Sequence, residues 1–195
     1  MKKMKTIDLV YAGMFAALMA VGANIAQFLV VGGIPITLQT FFAILAGLLL
    51  GSRLGAISMT VYALVGFAGA PVFAQFTGGP GILLKPTFGF ILSYILVAYI
   101  AGKIVESKAK PTVRTFMIAS FTAFILNYVL GTNYMYFAYK FWAMAPEGFT
   151  YGMAWTWMLA PLPKDIILSI VAAVISPRIY KAVSKSSQRS ERRVA

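Results

Sequence analysis

The stretch Ile7-Asp8-Leu9-Val10-Tyr11-Ala12-Gly13-Met14-Phe15-Ala16-Ala17-Leu18-Met19-Ala20-Val21-Gly22-Ala23-Asn24-Ile25-Ala26-Gln27-Phe28-Leu29-Val30-Val31 is apolar apart from Asp8, Asn24 and Gln27. A helix needs about 20 such residues to cross the hydrocarbon core of a bilayer. This run is long enough, and comparable runs follow it. The second is Ile36 to Leu50, closing at Gly51-Ser52-Arg53, and the third extends from Leu54 to about Gly69. A fourth runs from Pro86 to Gly102, a fifth from Val113 to Gly131, and the last from Leu162 to Ile179. The expected fold is therefore an all-α integral membrane protein: one domain over residues 1–195, with six transmembrane helices near 7–31, 36–52, 54–70, 86–104, 113–133 and 160–182. Two of these runs are short, which tilt or local bilayer thinning accommodates.

Composition agrees. Hydrophobic residues make up 60% of the 195 residues and charged ones 11%, against about 45–50% and 25% in soluble domains. So few charges cannot cover a water-facing surface. The net charge of +12 does not point to nucleic acid, because the cations stand in short segments between apolar runs and at the ends. With six spans, Lys2, Lys3, Lys5, Arg53, Lys103, Lys108, Lys110, Arg114, Arg178, Lys181, Lys185, Arg189, Arg192 and Arg193 fall on one side. Only Lys85, Lys140 and Lys164 fall on the other. That asymmetry predicts cytoplasmic termini. Residues 184–195 read as a polar, basic, unstructured cytoplasmic tail. Lys2-Lys3-Met4-Lys5 also fits the start of a signal peptide cleaved after Val21-Gly22-Ala23, but Asp8 and the length of the run argue against it.

The chain has no His, no Cys and only 5 Asp+Glu. Thiolate and imidazole catalysis, disulfides and the usual metal sites are excluded. No cofactor or metal is expected, and an enzyme is not. There is no Walker A motif; the fragment Gly102-Lys103-Ile104 lacks both the glycine loop and the hydroxyl. If the chain works against a gradient, it does not hydrolyse ATP itself.

The unusual side chains gather on the predicted outer side. The first outer connection holds Gly32-Gly33-Ile34-Pro35-Ile36-Thr37-Leu38-Gln39-Thr40, and the second holds Gly69 to Ala74, Thr77 to Gly81 and Lys85-Pro86-Thr87. The third holds Asn133, Tyr134, Tyr136, Tyr139, Trp142, Trp155 and Trp157, and the last run opens at Pro161-Leu162-Pro163-Lys164-Asp165. Loops of this kind suit a lid over a cavity for a small, partly apolar molecule.

Asp165 has two readings. It favours the helix dipole in the first turn after Pro163, or it is a site residue partnered by Lys164 or Lys85. Either lysine can instead snorkel to the headgroups. Asn127 either bonds between helices or reads a ligand. Gln39 is a helix-start residue or a ligand contact, and each aromatic ring is interfacial or part of the lid. Ala12, Ala16 and Ala20 form a smooth stripe that serves internal packing or the docking of another membrane subunit.

Several stretches, in order, resemble the BioY family, the biotin-binding S components of energy-coupling factor (ECF) transporters. They are Ile34 to Phe41, Leu45 to Ala56, Tyr62, Gly66 to Ala74, Pro86 to Phe90 and Pro161 to Asp165. The resemblance spans about residues 6 to 180. It implies a six-helix subunit of the prokaryotic plasma membrane that captures biotin from outside. Its partners would be a transmembrane coupling subunit and two ABC-type ATPases, with the alanine stripe docking on the coupling subunit. Many BioY sequences read Gly-Asp-Leu-Leu-Lys at the sixth helix; this chain has Lys164 in place of the glycine and Leu168 in place of the lysine.

Biotin offers two ureido N–H donors, a strongly accepting carbonyl, an apolar thiophane and a carboxylate. Asp165 suits the N–H groups, and Asn127 can donate to the carbonyl. Phe73 and Trp155 can cover the apolar body, and Lys85 can pair with the carboxylate. Thr37, Gln39 and Lys164 complete the candidate ligand contacts. The rivals are an S component for another vitamin, a secondary carrier, for which no internal repeat is found, and an intramembrane enzyme, for which the catalytic groups are lacking.

Overall fold

The computed structural model describes residues 4–25, 30–31 and 34–194. Gln27 and the Gly32-Gly33 pair of the first connection lie outside the described residues. Seven α-helices are found among the described residues: α1 (Thr6–Asn24), α2 (Gln39–Leu50), α3 (Ser52–Phe67), α4 (Phe88–Glu106), α5 (Val113–Phe141), α6 (Tyr151–Trp157) and α7 (Leu162–Val194). Among the described residues, strand structure is confined to a two-residue antiparallel pairing of Val30–Val31 with Ile34–Pro35 and a single bridge between Phe73 and Thr77.

Four helices, α1, α4, α5 and the Leu162–Val183 part of α7, are long and apolar enough to cross a membrane. α2 and α3 are shorter. The 19 residues of α1 extend about 28 Å at 1.5 Å per residue. Its first turn explains Asp8: the backbone N–H of Lys5 donates to Asp8 Oδ2 at 3.0 Å, satisfying a helix-end group that has no partner within the helix.

The bundle is built around α2. Ala43, Ile44, Ala46 and Leu48 are fully enclosed, with α4, α7, α3 and α1 packed around them. Close approach is possible because Gly47 of α2 packs against α4; a Cβ there would stand 2.3 Å from the Ala98 carbonyl oxygen. The outside is the reverse of a soluble protein. Leu9, Val10, Met14 and Val21 of α1, Leu92 and Leu96 of α4, Ile118, Ile125 and Val129 of α5, and Ile167, Ile170, Val171 and Val174 of α7 are all exposed. Apolar rows of this extent do not face water on a stable monomer. They suit lipid.

The α2–α3 corner turns at Gly51, whose φ of 82° favours glycine. From the end of α4, Glu106 closes the corner. Its Oε1 accepts from Ser52 N at 2.8 Å and its Oε2 from Ser52 Oγ at 2.7 Å. A carboxylate at a helix N-terminus meets both the unpaired N–H groups and the positive end of the dipole.

Two elements depart from the expected boundaries. α5 continues eight residues past the predicted 133 to Phe141, so Tyr134, Tyr136 and Tyr139 sit on a helix rather than in a loop. α7 continues to Val194, where an unstructured tail was expected from residue 184. Propagating an existing helix is far easier than nucleating one, and Lys185, Gln188, Arg189, Glu191, Arg192 and Arg193 are good helix formers.

Candidate functional site

A cavity of about 160 Å³ lies where the N-termini of α2, α4 and α7 meet the C-terminal half of α5. Seven of the residues expected from the sequence line it: Thr37, Gln39, Phe73, Lys85, Asn127, Lys164 and Asp165. Residues from five separate chain segments therefore reach one space.

Each is held by identifiable partners. Asp165 sits in the first turn of α7, its backbone N–H donating to Pro161 O at 3.0 Å. The residue is only 4% exposed. The Lys164 ammonium contacts Asp165 Oδ1 and also donates to the Thr37 carbonyl. The Tyr128 hydroxyl donates to Asp165 Oδ2 at 2.8 Å. A carboxylate oxygen accepts two hydrogen bonds, so each oxygen retains acceptor capacity. The lysine that stands in the unexpected position is thus the counter-ion of the buried acid, and it ties α7 to the start of α2.

Asn127 is wholly buried in α5. Its Nδ2 donates to Thr40 Oγ1 at 3.2 Å, and its Oδ1 accepts from Ser93 Oγ at 2.7 Å. It joins α2, α4 and α5 at the cavity wall, so the interhelical role and a place on the cavity lining are combined in one residue. Gln39 opens α2. Its Nε2 donates to Tyr62 Oη at 2.8 Å, and that hydroxyl donates to Val72 O at 3.1 Å. This relay fixes the chain just before Phe73. The Phe73 ring is buried edge-on against Tyr62 and Phe67, and it faces Gly66, where a Cβ would stand only 2.1 Å from the ring. Lys85 is exposed at the mouth.

Trp155 does not reach the cavity. It is half-buried on α6, with Tyr151 as its ring partner at 6.3 Å. The ring that reaches the site from this region is Tyr139, packed against Phe149 at 4.8 Å and Trp157 at 5.9 Å. The extension of α5 is what places it there. The alanine stripe is divided. Ala12 is buried inside the chain, while Ala16 and Ala20 are half-buried against its core.

Sequence reading missed Thr40, Tyr94, Tyr128 and Tyr139 as wall residues. For Tyr128 a signal existed. A phenol within an apolar span needs a partner, and Asp165 is the acid on the same predicted side.

Comparison with known proteins agrees with this geometry. Residues 1–185 match the model of the BioY family. The chain belongs to the BioY family. BioYB of Bacillus subtilis (strain 168) is 47% identical over 189 residues, covering 95% of this chain and 94% of that one. The biotin transporter BioY of Thermotoga maritima is 32% identical over 175 residues, covering 89% and 96%. The chain also shares its fold with a crystal structure of the S-component for biotin from an ECF-type ABC transporter. The TM-score is 0.72 at 23% identity, with 92% of this chain and 95% of that chain covered. BioY membership and the apolar helices make this a multi-pass membrane protein of a transporter family, not an enzyme.

Proposed function

We propose that this chain is the S component of an ECF-type transporter, and that it captures biotin in the cavity between α2, α4, α5 and α7. The observation that carries the reading is Asp165: a buried carboxylate with unused acceptor capacity, at one end of an otherwise apolar bundle. Burying a charge is costly unless it is paired and used, and ureido N–H groups match its free lone pairs. Asn127 lies across the same cavity, where a small rotation redirects its amide from Thr40 to the ureido carbonyl. Phe73 and Tyr139 supply apolar surface for the thiophane, and Lys85 at the mouth suits the carboxylate. The binding chemistry is neutral recognition at depth and charge pairing at the rim, with no covalent step.

In this reading six helices, α1 to α5 and α7, cross the membrane with both termini cytoplasmic, and the cavity opens outward. Lysine and arginine placement supports that orientation. Transport then needs a transmembrane coupling subunit and two ABC-type ATPases, because the chain has no nucleotide-binding motif. Ala16 and Ala20 are the members of the stripe left partly uncovered to meet such a subunit.

Equilibrium binding of biotin to the purified, detergent-solubilised chain tests the proposal, with thiamine and riboflavin as controls. Tight and selective binding of biotin is expected. Absence of binding by a folded sample overturns it. For the assembly, leucine at Ala16 and Ala20 should abolish co-purification of the coupling subunit while biotin binding persists; loss of both together would make the stripe structural.

A further inference from the structure

Among the described residues, two that are not glycine have a positive φ, and they are consecutive: Gln75 at 61° and Phe76 at 51°. Side chains with a Cβ avoid this region, and bulky ones most of all. Both lie at the tip of a small hairpin. Phe73 pairs with Thr77, its N–H donating to Thr77 O at 3.0 Å, and Thr77 Oγ1 donates to Ala74 O at 3.0 Å. Hairpin tips with consecutive positive φ values ordinarily recruit Asn and Gly. Neither stands at these two positions, so the turn carries backbone strain that its own two hydrogen bonds must offset.

An external group holds it. The backbone N–H of Phe76 donates to Asn24 Oδ1 at 2.7 Å. The amide is itself oriented by its other end, Asn24 Nδ2 donating to Ala20 O at 3.0 Å one turn back along α1. Asn24 is the last residue of α1, 52 positions from Phe76 in sequence. The hairpin it holds forms part of the cavity wall: Phe73, Ala74, Gln75 and Thr77 all line the site. Phe76 does not line it and is exposed. The bond therefore joins the end of α1 to a strained segment of the wall and touches no ligand.

We propose that Asn24 is a positioning residue, a latch that holds the left-handed Gln75–Phe76 turn against the cavity and so slows the escape of the bound ligand. The proposal rests on the reading of the cavity as the biotin site. Without the latch, the turn can relax to ordinary φ values by swinging away from α1, and Ala74 and Gln75 go with it.

The test uses the full purified chain, with Asn24→Ala, Asn24→Asp, Phe76→Gly and the Asn24→Ala/Phe76→Gly pair. Biotin dissociation should be about fivefold faster in Asn24→Ala, the size expected of one hydrogen bond, with the association rate little changed. Asn24→Asp keeps an acceptor for the Phe76 N–H but loses the donor to Ala20 O and sets a carboxylate at the negative end of α1, so its dissociation rate should fall between wild type and Asn24→Ala. In the Phe76→Gly background glycine adopts positive φ unaided and only Gln75 stays strained, so Asn24→Ala should then change dissociation by less than in the wild-type chain, about twofold. An equal effect of Asn24→Ala in both backgrounds overturns the strain argument. Unchanged dissociation in Asn24→Ala in a chain that binds biotin overturns the proposal that the latch slows ligand escape. Backbone hydrogen exchange over residues 73–77 reads the latch without ligand: it should quicken in Asn24→Ala, and an unchanged rate overturns the proposal even if the wild-type chain binds no biotin. Quickened exchange in a chain that binds no biotin sustains the latch and overturns the reading of the cavity alone.

Discussion

Asp165 and Glu106 are both carboxylates at helix N-termini, at opposite ends of the bundle, and they do different work. Glu106 is exposed, and each of its oxygens accepts from Ser52, one from the backbone and one from the hydroxyl. That arrangement closes a corner and leaves the helix cap satisfied. Asp165 is buried, paired with Lys164 and Tyr128, and bordered by a cavity. An exposed cap is easily solvated and needs no ligand. A buried carboxylate that caps only its own helix would be a costly way to stabilise one turn. In the proposed reading the contrast separates a structural acid from a ligand-binding one where composition alone cannot, since the chain has only 5 Asp+Glu in total.

The largest effect is expected where that contrast is removed. Asp165→Asn takes away the charge and one acceptor oxygen while keeping the shape. Biotin affinity should fall about 100-fold, the upper range for a hydrogen bond to a charged group, as measured by equilibrium binding. Retained affinity would reduce Asp165 to the same capping role as Glu106. Asn127→Ala removes the link between Ser93 and Thr40 as well as a cavity amide. It should weaken binding about tenfold and lower the melting temperature by several degrees, because two buried hydroxyls lose a partner.

Smaller effects belong to the other end. Glu106→Gln leaves Ser52 an uncharged acceptor and should destabilise the chain by about 0.5–1 kcal/mol, as loss of a charged cap does. Biotin affinity should be unchanged in the same sample. A loss of affinity would mean that the two ends are coupled. Smallest of all, Trp155→Ala should leave affinity within about twofold, while the corresponding change at Tyr139, which reaches the cavity, should be felt as the loss of a packed ring. If Trp155 matters more than Tyr139, then α6 closes over the ligand rather than standing beside it.

Much of the site was legible before the fold. Asp165, Asn127 and Lys85 were visible as polar groups out of place in or between apolar runs, where desolvation makes every such residue conspicuous. Gln39 was weighed from its place at a helix start, and Thr37 and Phe73 stand in stretches resembling BioY. Tyr139 was left open between an interfacial belt and a lid, and the end of α5 was placed eight residues early; nothing local marks a helix end where apolar and aromatic residues simply continue. Trp155 was chosen by type and side of the membrane, which do not specify where a ring on a short helix points. Thr40 and Tyr94 carry no charge and look ordinary in a span.

The sequence by itself determined that this is an all-helical membrane chain with its polar groups gathered at one end, since apolar run length and charge placement are set by the bilayer rather than by packing. Only the tertiary structure decided that Lys164 and Tyr128 bind Asp165, that Ser93 and Thr40 hold Asn127, and that Asn24 reaches a strained turn 52 residues away. These are contacts between helices, and the composition of a span does not encode which face meets which neighbour. That depends on how side-chain volumes fit around α2, where Gly47 admits α4, and it is resolved only when all the helices pack together.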